Sequence, residues 1–375
     1  MTLRSPVSGA ELQADTPHSL TDGHTRWPVV DGIPFLRAER DALRAESLAY
    51  LDRGDQTGAL ILLLADQDDW WRGRTANPAD LRRLVQERDR LSLRQAMGLL
   101  AWGAVADYFA HRWSDPTFLA GLALVQAHWS EPHDCFELAC GIGHHLRALG
   151  QRGVRCAGAD VVFGKLWIAR NYVARQADLI CFDAAHPWPT ASARFDLVAC
   201  HDAFYFLDPK QDVARQLRAA VADDGWLAIS HVHNRDWPNL SAGSAVTRVE
   251  LAALFPDGVI YDDAELTHAL VERRTPRAGA ADQVEAFSVA AGPRLRPARA
   301  ATGALTVPPE AAMLRRNPLY DTAGIIRWPS ERYAAEYAPR ATYPARTTCP
   351  ETAPCGAAAM EWALRRELVD LPERW

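Results

Sequence analysis

The sequence lacks the long apolar segments and the basic blocks that point to a membrane or a nucleic acid. No run of about 18 apolar residues occurs in the 375-residue chain, and the longest apolar stretch, Ala59 to Ala65, is too short to cross a bilayer. The beginning, Met1 to Gly9, lacks the apolar core of a signal peptide. With a net charge of −6 and no Lys/Arg-rich block, the chain gives no sign of the phosphate neutralisation on which sequence-independent nucleic-acid binding depends. We therefore expect a cytoplasmic protein with no membrane or nucleic-acid partner.

The chain also lacks paired cysteines, since none of its seven cysteines forms a C-x-x-C pair. Cys349 and Cys355 lie in a segment rich in Pro, Thr and Ala and could approach each other, which leaves metal binding there as a minor alternative. We expect no metal. Four others fall in or beside predicted strands, where a small buried thiol is the ordinary interpretation: Cys140, Cys156, Cys181 and Cys200.

Short continuous apolar segments alternate with helical patterns in the middle of the chain. Such alternation is typical of a parallel sheet covered by helices on both faces, in which ligands bind at the carboxyl ends of the strands. After a first strand that ends at Glu137, the predicted strands are Gly153–Val161, Asp178–Ala184, Phe195–His201 and Gly225–His231. Helices are predicted between them at Leu146–Arg152, Lys165–Arg175 and Asp212–Val221, and two final strands at Val259–Tyr261 and Val284–Ala291.

The first strand leads into Glu137-Leu138-Ala139-Cys140-Gly141-Ile142-Gly143, an acid followed by a glycine-rich turn. This order suits a nucleoside with a cationic amino-acid tail better than a pyrophosphate, which favours G-x-G-x-x-G with an acid about 20 residues later. Taken alone, Gly-x-Gly is often only a tight turn, and a single acid is often a helix cap. Here Asp160 and Asp183 end the second and third strands, so three acids stand at successive strand ends and favour a ligand site.

On these residues, the region 131–292 resembles a class I S-adenosylmethionine-dependent methyltransferase. The resemblance implies an α/β, Rossmann-like sheet of seven strands with S-adenosylmethionine as cofactor. One departure is Ala139, which stands where a glycine is more usual. The cofactor-binding residues that the resemblance implies are Glu137, Ala139, Gly141, Gly143, Asp160, Val161, Asp183, Ala184 and His201.

The resemblance also implies which part of the cofactor each of these residues would contact. Glu137 would orient the methionine end through its amino group, and Asp160 would bind the ribose hydroxyls. Asp183 and Ala184 would flank the adenine, with Val161 packed on its face. Gly141 and Gly143 would let the backbone approach closely.

The candidates for chemistry follow the fourth and fifth strands. Methyl transfer is an in-line displacement that depends mainly on alignment, and a general base is needed only when the acceptor arrives protonated. We predict His201, Asp202 and His233 as catalytic, with Tyr205 and His231 as further candidates, while a histidine bonded to a loop is the ordinary alternative. The fourth strand is not followed by an Asp/Asn-Pro-Pro-Tyr/Phe tetrad, which argues against the subfamilies that methylate adenine N6, cytosine N4 and glutamine amides.

Residues 1–130 are predicted to form an N-terminal segment and a helical cap. Residues 1–24 are polar and are expected to be loose or extended. Trp27 to Leu36 alternates into an Asp-Gly turn, as a hairpin does, and resembles the end of the zinc-ribbon-like activator domain found with some methyltransferases; the usual cysteines are missing, so zinc is not expected. The predicted helices either cover the cofactor and substrate or merely cap the sheet: Arg37–Arg53, Pro78–Glu87, Ser92–Ala110 and Pro116–Trp129.

Residues 293–375 are predicted to form a linker and an aromatic extension. The stretch 293–308 is rich in Pro, Arg and Ala, as linkers are, and an aromatic stretch without strong periodicity follows. This extension either wraps back over the active site or serves as a packing or dimer arm. A final helix is predicted at Gly356–Leu368.

The function expected from this resemblance is O- or N-methylation of a small molecule, such as a secondary metabolite. Two alternatives stay open: a methyltransferase that acts on tRNA or protein, which the Trp27 to Leu36 segment suggests, and a non-catalytic relative that serves as a partner protein. The sequence fixes neither the acceptor nor its reacting atom, and a homodimer stays open.

Overall fold

The computed structural model describes residues 2–238, 243–309 and 312–375. In chain order, its strands are β1 (Gln13–Thr16), β2 (Ser19–Thr21), β3 (Arg26–Val30), β4 (Ile33–Pro34), β5 (Asp134–Leu138), β6 (Arg155–Asp160), β7 (Asp178–Cys181), β8 (Phe195–His201), β9 (Val221–His233), β10 (Val259–Asp262), β11 (Ala286–Ala291), β12 (Met313–Arg316), β13 (Thr352–Pro354) and β14 (Leu368–Val369). Its α-helices are α1 (Asp41–Asp52), α2 (Gln56–Ala65), α3 (Pro78–Glu87), α4 (Leu93–Leu99), α5 (Ala104–His111), α6 (Pro116–Ala127), α7 (His144–Gly150), α8 (Phe163–Ile168), α9 (Lys210–Ala219), α10 (Arg248–Leu254), α11 (Asp263–Val271), α12 (Glu331–Tyr337) and α13 (Met360–Leu364).

The central sheet has seven strands in the order β10-β11-β9-β8-β5-β6-β7. Strands β5 to β9 pair in parallel, whereas β11 lies antiparallel between β9 and β10. Glu137 lies opposite Gly158 on one neighbour and Ala199 on the other, next to the last residue of β5, the middle strand of the parallel group. This is the Rossmann-like α/β fold that the sequence predicts, and β8 has the predicted bounds.

Helix α6 is buried along its whole length. Asp115 caps its first turn by accepting a hydrogen bond from the Thr117 amide at 2.8 Å, and Pro116 occupies the first turn, where its missing N–H has no partner to lose. A helix that is apolar on all sides is stable only inside a protein, and α6 packs between α11 and β9. It therefore forms a rigid support behind the ends of the central strands.

The first 24 residues are not loose, as the sequence led us to expect, because β1 and β2 lie within a four-stranded antiparallel sheet, β1-β2-β3-β4. Strand β1 is exposed at every position, so it leaves no apolar alternation to read in the sequence. The predicted hairpin is confirmed: Val30 pairs with Ile33, and Asp31 and Gly32 both have positive φ, as a two-residue hairpin turn of type I′ requires. The sheet joins the central one where the Leu36 amide donates to the Cys181 carbonyl at 2.7 Å.

Several helical regions differ from the sequence prediction. The helix predicted at Ser92–Ala110 is two helices, α4 and α5, because the backbone turns through positive φ at Ala101 and Gly103. Helices α2 and α12 were not predicted. The final helix is shorter than expected, since Gly356–Leu368 divides into a 3₁₀ turn, α13 and the first residue of β14. Strand β14 joins β12 and β13 in a small C-terminal sheet that the sequence did not indicate.

The C-terminal extension packs on the N-terminal helices. The buried Arg366 guanidinium donates to the Trp113 and Thr306 carbonyls, and the ring of His111 in α5 meets the edges of Tyr333 and Trp375. Residues from both ends of the chain therefore meet beside the ends of the central strands.

Among the described residues, no helix combines the length and the apolar character needed to cross a membrane.

Candidate active site

A cavity of about 1380 Å³ opens where the parallel strands end. Its walls come from the loops after β5, β6, β7 and β8, from α5, and from α12 of the C-terminal extension. Pockets that hold one drug-sized ligand measure about 300–1,000 Å³. This cavity therefore has room for two ligands side by side.

The glycine loop between β5 and α7 bends through left-handed backbone conformations. Ala139, Gly141 and Gly143 all have positive φ, at 54°, 56° and 83°. A side chain on Gly141 would crowd the Phe109 ring, whereas one on Gly143 would lie 2.9 Å from Ala174 Cβ, inside the protein. Gly141 thus lies at the cavity wall, and Gly143 instead permits close packing of the loop on the helical segment behind it.

Asp160 fixes this loop from the neighbouring strand. Its Oδ2 accepts from the Gly141 amide at 3.0 Å, its Oδ1 accepts from the Val162 amide at 2.9 Å, and Lys165 Nζ lies 3.6 Å from Oδ1. An ionised carboxylate has about four lone-pair sites, so it can accept further donors from a ligand. Asp160 lines the cavity while it holds the glycine loop.

Val161, Asp183 and Ala184 lie together along the same wall. The buried Arg37 guanidinium donates to the Val161 carbonyl at 3.1 Å and to Asp66 Oδ2 at 2.7 Å, which ties the N-terminal segment to this loop. Asp183 Oδ1 accepts from the Ala185 amide at 2.9 Å. The second carboxylate oxygen is therefore the one that Asp183 can offer to a ligand.

Glu137 lies beneath the glycine loop with two histidine rings. Its Oε1 is 3.4 Å from His145 Nδ1, and the His145 and His201 rings stack at 4.0 Å. Burial raises the pKa of Glu137 to about 7, and burial likewise places the pKa values of both histidines well below their usual range. His201 Nδ1 contacts Ser230 Oγ at 2.8 Å.

Asp202 is the centre of a hydrogen-bond network at the cavity wall. Its Oδ2 accepts from Tyr108 Oη and Arg112 Nη1, both at 2.8 Å, and its Oδ1 accepts from Tyr205 Oη at 3.0 Å. Burial opposes ionisation of Asp202, but the Arg112 guanidinium, His231 and the hydrogen bond from Tyr108 hold its pKa below the usual range. Asp202 is therefore a fixed anion rather than a base ready to take a proton.

His231 and His233 lie behind this wall and not on it. His231 Nδ1 contacts Asp263 Oδ2 at 2.8 Å, and the His233 ring stacks on Tyr205 at 3.8 Å. Burial lowers the pKa of His233 to about 4, so the ring is neutral at pH 7. The predicted catalytic role of His233 needs contact with a ligand, and the residues that line the cavity do not include it.

The remaining wall comes from parts of the chain that the motifs do not mark. Trp70, Tyr333 and Tyr337 supply aromatic rings, and Glu336 supplies a half-buried carboxyl whose pKa is raised by burial. The extension therefore does reach the cavity, which was one of its two predicted roles. Because the sequence of the extension shows no periodicity, it did not indicate which of its side chains would line the cavity.

The structure brings most of the predicted site residues to one cavity. Of the predicted cofactor-binding residues, Gly143 is the one that does not line it. Residues that sequence reasoning did not single out line it as well: Arg37, Trp70, Tyr108, Phe109, Arg112, Lys165, Tyr333, Glu336 and Tyr337. Cys349 and Cys355, the minor metal alternative, are both buried, and no metal-ligand group among the described residues contains a cysteine.

Comparison with known proteins supports this description of the central region. Residues 136–229 match the family model described as a methyltransferase domain. A search of the curated proteins finds no match. The match covers about a quarter of the chain, and together with the observed strand order it supports a class I methyltransferase domain in the central sheet, the kind of domain that uses S-adenosylmethionine.

Several solved structures resemble the chain weakly. The YcgJ protein of Bacillus subtilis is 18% identical, with 38% of this chain and 69% of that one covered and a TM-score of 0.32. The plantazolicin methyltransferase BpumL is 14% identical over 56% of this chain and 96% of that one, with a TM-score of 0.38. CalS10, an amino pentose methyltransferase from Micromonospora echinaspora, is 20% identical over 34% and 56%, with a TM-score of 0.28. At these scores the likenesses add nothing about substrate.

The residues present fit S-adenosylmethionine. Buried Glu137 Oε2 has no hydrogen-bond partner among the described residues. The cationic amino group of the cofactor would supply that partner. Gly141 lies at the cavity wall, where a side chain would crowd the Phe109 ring, and the carboxylates of Asp160 and Asp183 line the same wall. Glu137, Gly141, Asp160 and Asp183 would hold the cofactor, which supplies an electrophilic methyl group.

Proposed function

We propose that this protein is an S-adenosylmethionine-dependent methyltransferase that acts on a small molecule, at an oxygen or a nitrogen. One observation carries the proposal: the glycine loop and the carboxylates line a cavity larger than one ligand needs. The second ligand would lie against Asp202, between α5 and α12. Helix α5 and the C-terminal extension enclose this side of the cavity. The acceptor would therefore be small enough to lie between them.

The chain's contribution to the reaction is alignment and exclusion of water. Tyr108, Arg112 and Tyr205 hold the Asp202 carboxylate in one position, so the polar wall beside the acceptor is fixed before the acceptor binds. Such preorganisation lowers the barrier of a displacement that needs two reactants in line. Tyr333 and Tyr337 cover the same space with aromatic surface that keeps water out.

The test is methyl transfer from cofactor labelled in its methyl group to fractionated cell extract. We expect label in the low-molecular-weight fraction and none with Asp160→Ala as the enzyme. Label confined to tRNA or protein would favour the alternative that the Trp27 to Leu36 segment suggests. Tight cofactor binding with no transfer to any fraction would favour the non-catalytic relative.

A further inference from the structure

The half of the cavity between α5 and α12, which we call the acceptor half, contains more carboxyl groups than cations. Arg112 Nη1 lies 2.8 Å from Asp202 Oδ2 and 3.7 Å from Asp115 Oδ2, so one guanidinium pairs with two buried carboxyl groups. Burial raises the pKa of Asp115 to about 6, which leaves this group mostly ionised at pH 7. Glu336 of α12 lines the same cavity and adds a third carboxyl group. The acceptor half therefore has a negative charge that Arg112 does not balance.

The cations behind this wall are paired as well. His231 Nδ1 lies 2.8 Å from Asp263 Oδ2, and its Nε2 lies 3.9 Å from Asp202 Oδ1. Burial opposes a charge on His231, but Asp263 and Asp202 raise its pKa above the usual value. Arg340 Nη1 lies 3.3 Å from Asp263 Oδ2, and its Nε lies 3.0 Å from Glu285 Oε2. Both cations are therefore held by carboxylates of their own.

Glu336 has only a weak cationic partner. In the described part of the chain its one ion pair is with Arg332, whose Nε lies 3.9 Å from Glu336 Oε2. The Arg332 side chain is 63% exposed and the Glu336 side chain 21%, so water screens the pair. Burial raises the pKa of Glu336, a hydrogen bond with Tyr337 offsets part of that shift, and the Asp202 charge adds to it. A cation bound from the cavity would stabilise the ionised carboxylate.

Aromatic rings lie beside Glu336 on the same wall. After burial, the Glu336 charge is one of the causes that raise the pKa values of three tyrosines, which shows that they lie close to the carboxylate: Tyr205, Tyr333 and Tyr337. All three line the cavity. An aromatic face attracts an ammonium group, most strongly where water is excluded. The rings and the carboxylate therefore favour the same kind of ligand.

An anionic or a neutral acceptor fits this half less well. The Arg112 guanidinium is already paired with Asp202 and lies 5.0 Å from the centre of the Tyr108 ring. A carboxylate or phosphate in the cavity would face the negative charges of Asp202 and Glu336, which would repel it. A neutral acceptor would displace water from Glu336 without supplying a charge, and an unpaired carboxylate is costly to bury.

We propose that the small-molecule acceptor is an amine, whose ammonium group binds Glu336 beside the rings of Tyr333 and Tyr337. This inference rests on the proposed function, because it identifies the class of acceptor for that reaction. A charge-assisted hydrogen bond would join the ammonium N–H to the carboxylate, and the rings would contact the rest of the cation. Sequence reasoning did not single out Glu336, because α12 lies in an extension without strong periodicity.

The test separates acceptors by charge and needs only the wild-type protein. The low-molecular-weight fraction of a cell extract is passed over a cation exchanger at about pH 2, where carboxyl groups are mostly neutral and amines stay charged. The retained and unretained pools are then incubated with the protein and with cofactor labelled in its methyl group. We expect nearly all of the label in products of the retained pool.

Glu336→Gln keeps the shape of the side chain and removes its charge. At a limiting concentration of the retained pool, this variant should transfer methyl groups at least about tenfold more slowly than the wild type, because hydrogen bonds between charged groups are the stronger kind. Its affinity for the cofactor should stay within about twofold, which shows that it is folded. Glu336→Asp should recover part of the rate. Glu331→Gln, at an exposed position of α12 that does not line the cavity, is the matched control and should behave as the wild type.

Each contrary outcome is distinct. Label confined to the unretained pool would overturn the amine assignment and leave the proposed function in place. A Glu336→Gln protein that labels the retained pool as fast as the wild type, or a Glu331→Gln protein that is equally slow, would overturn the role of Glu336. Absence of label from both pools would contradict the proposed function itself, and this inference with it.

Discussion

The two halves of the cavity are built in different ways. The cofactor half comes from loops within one stretch of the central domain, where Asp160 and Glu137 lie on neighbouring strands. The acceptor half joins distant parts of the chain, since Tyr108 and Arg112 reach Asp202 across 94 and 90 residues and the extension adds Tyr337. The first half is fixed by the fold of the central sheet. The second depends on how the two ends of this particular chain pack together.

Loss of a single charge in the acceptor half should lower the free energy of unfolding strongly. Arg112→Met leaves the buried carboxylates of Asp202 and Asp115 without their cation, so we expect a loss of about 3–5 kcal/mol in unfolding free energy. Denaturant unfolding measures it.

An exposed arginine gives the matched control for that change. Arg26 pairs with Asp15 and Asp52 at the surface, and Arg26→Met should cost less than about 1 kcal/mol. The double variant Arg112→Met/Asp202→Asn should recover part of the loss. Equal effects of Arg112→Met and Arg26→Met would contradict the buried network.

The junction of the two chain ends should weaken in acid. Burial, with a smaller effect of Arg94, lowers the pKa of His111 to about 4. An unfolded histidine titrates near 6.5, so between these values the unfolded chain binds the proton and stability falls as the pH falls. From pH 7 to 5 the wild type should lose about 2 kcal/mol more than His111→Phe.

Thermal and denaturant unfolding at both pH values measure this difference. His24→Phe, at an exposed turn, is the control and should follow the wild type. A wild type that loses no more stability than His111→Phe would show that His111 is protonated without cost in the folded protein.

The cofactor half contains one strained position that the sequence marks as unusual. Ala139 has a φ of 54°, where a residue with a side chain costs about 1–2 kcal/mol. Ala139→Gly should therefore stabilise the protein by about 1 kcal/mol. Ala334→Gly, inside α12, should destabilise it by about 0.5–1 kcal/mol, the usual direction. The same sign for both substitutions would contradict the loop geometry.

The sequence predicted the cofactor half better than the acceptor half, because the cofactor half is built from residues close together in the chain. The strands and the glycine loop were predictable because a short, mainly apolar run such as Phe195–His201, with an acid or a glycine after it, is a local pattern. The hydrogen bond from Arg112 to Asp202 has no local pattern. Strand β1 was not predicted, because its residues are all exposed and show no apolar alternation. The packing role of Gly143 was not predicted either, because only the structure shows that Ala174 lies behind it.

Calorimetric titration with S-adenosylmethionine and with its demethylated product tests the central claim most directly. The wild type should bind both with micromolar affinity. Asp160→Ala should lose about a hundredfold, because a carboxylate that bonds hydroxyls contributes about 1.5–3 kcal/mol per bond, while Glu336→Gln in the acceptor half should stay within about twofold. Folded Asp160→Ala protein that binds the cofactor as well as the wild type does would contradict the assignment of the cofactor half.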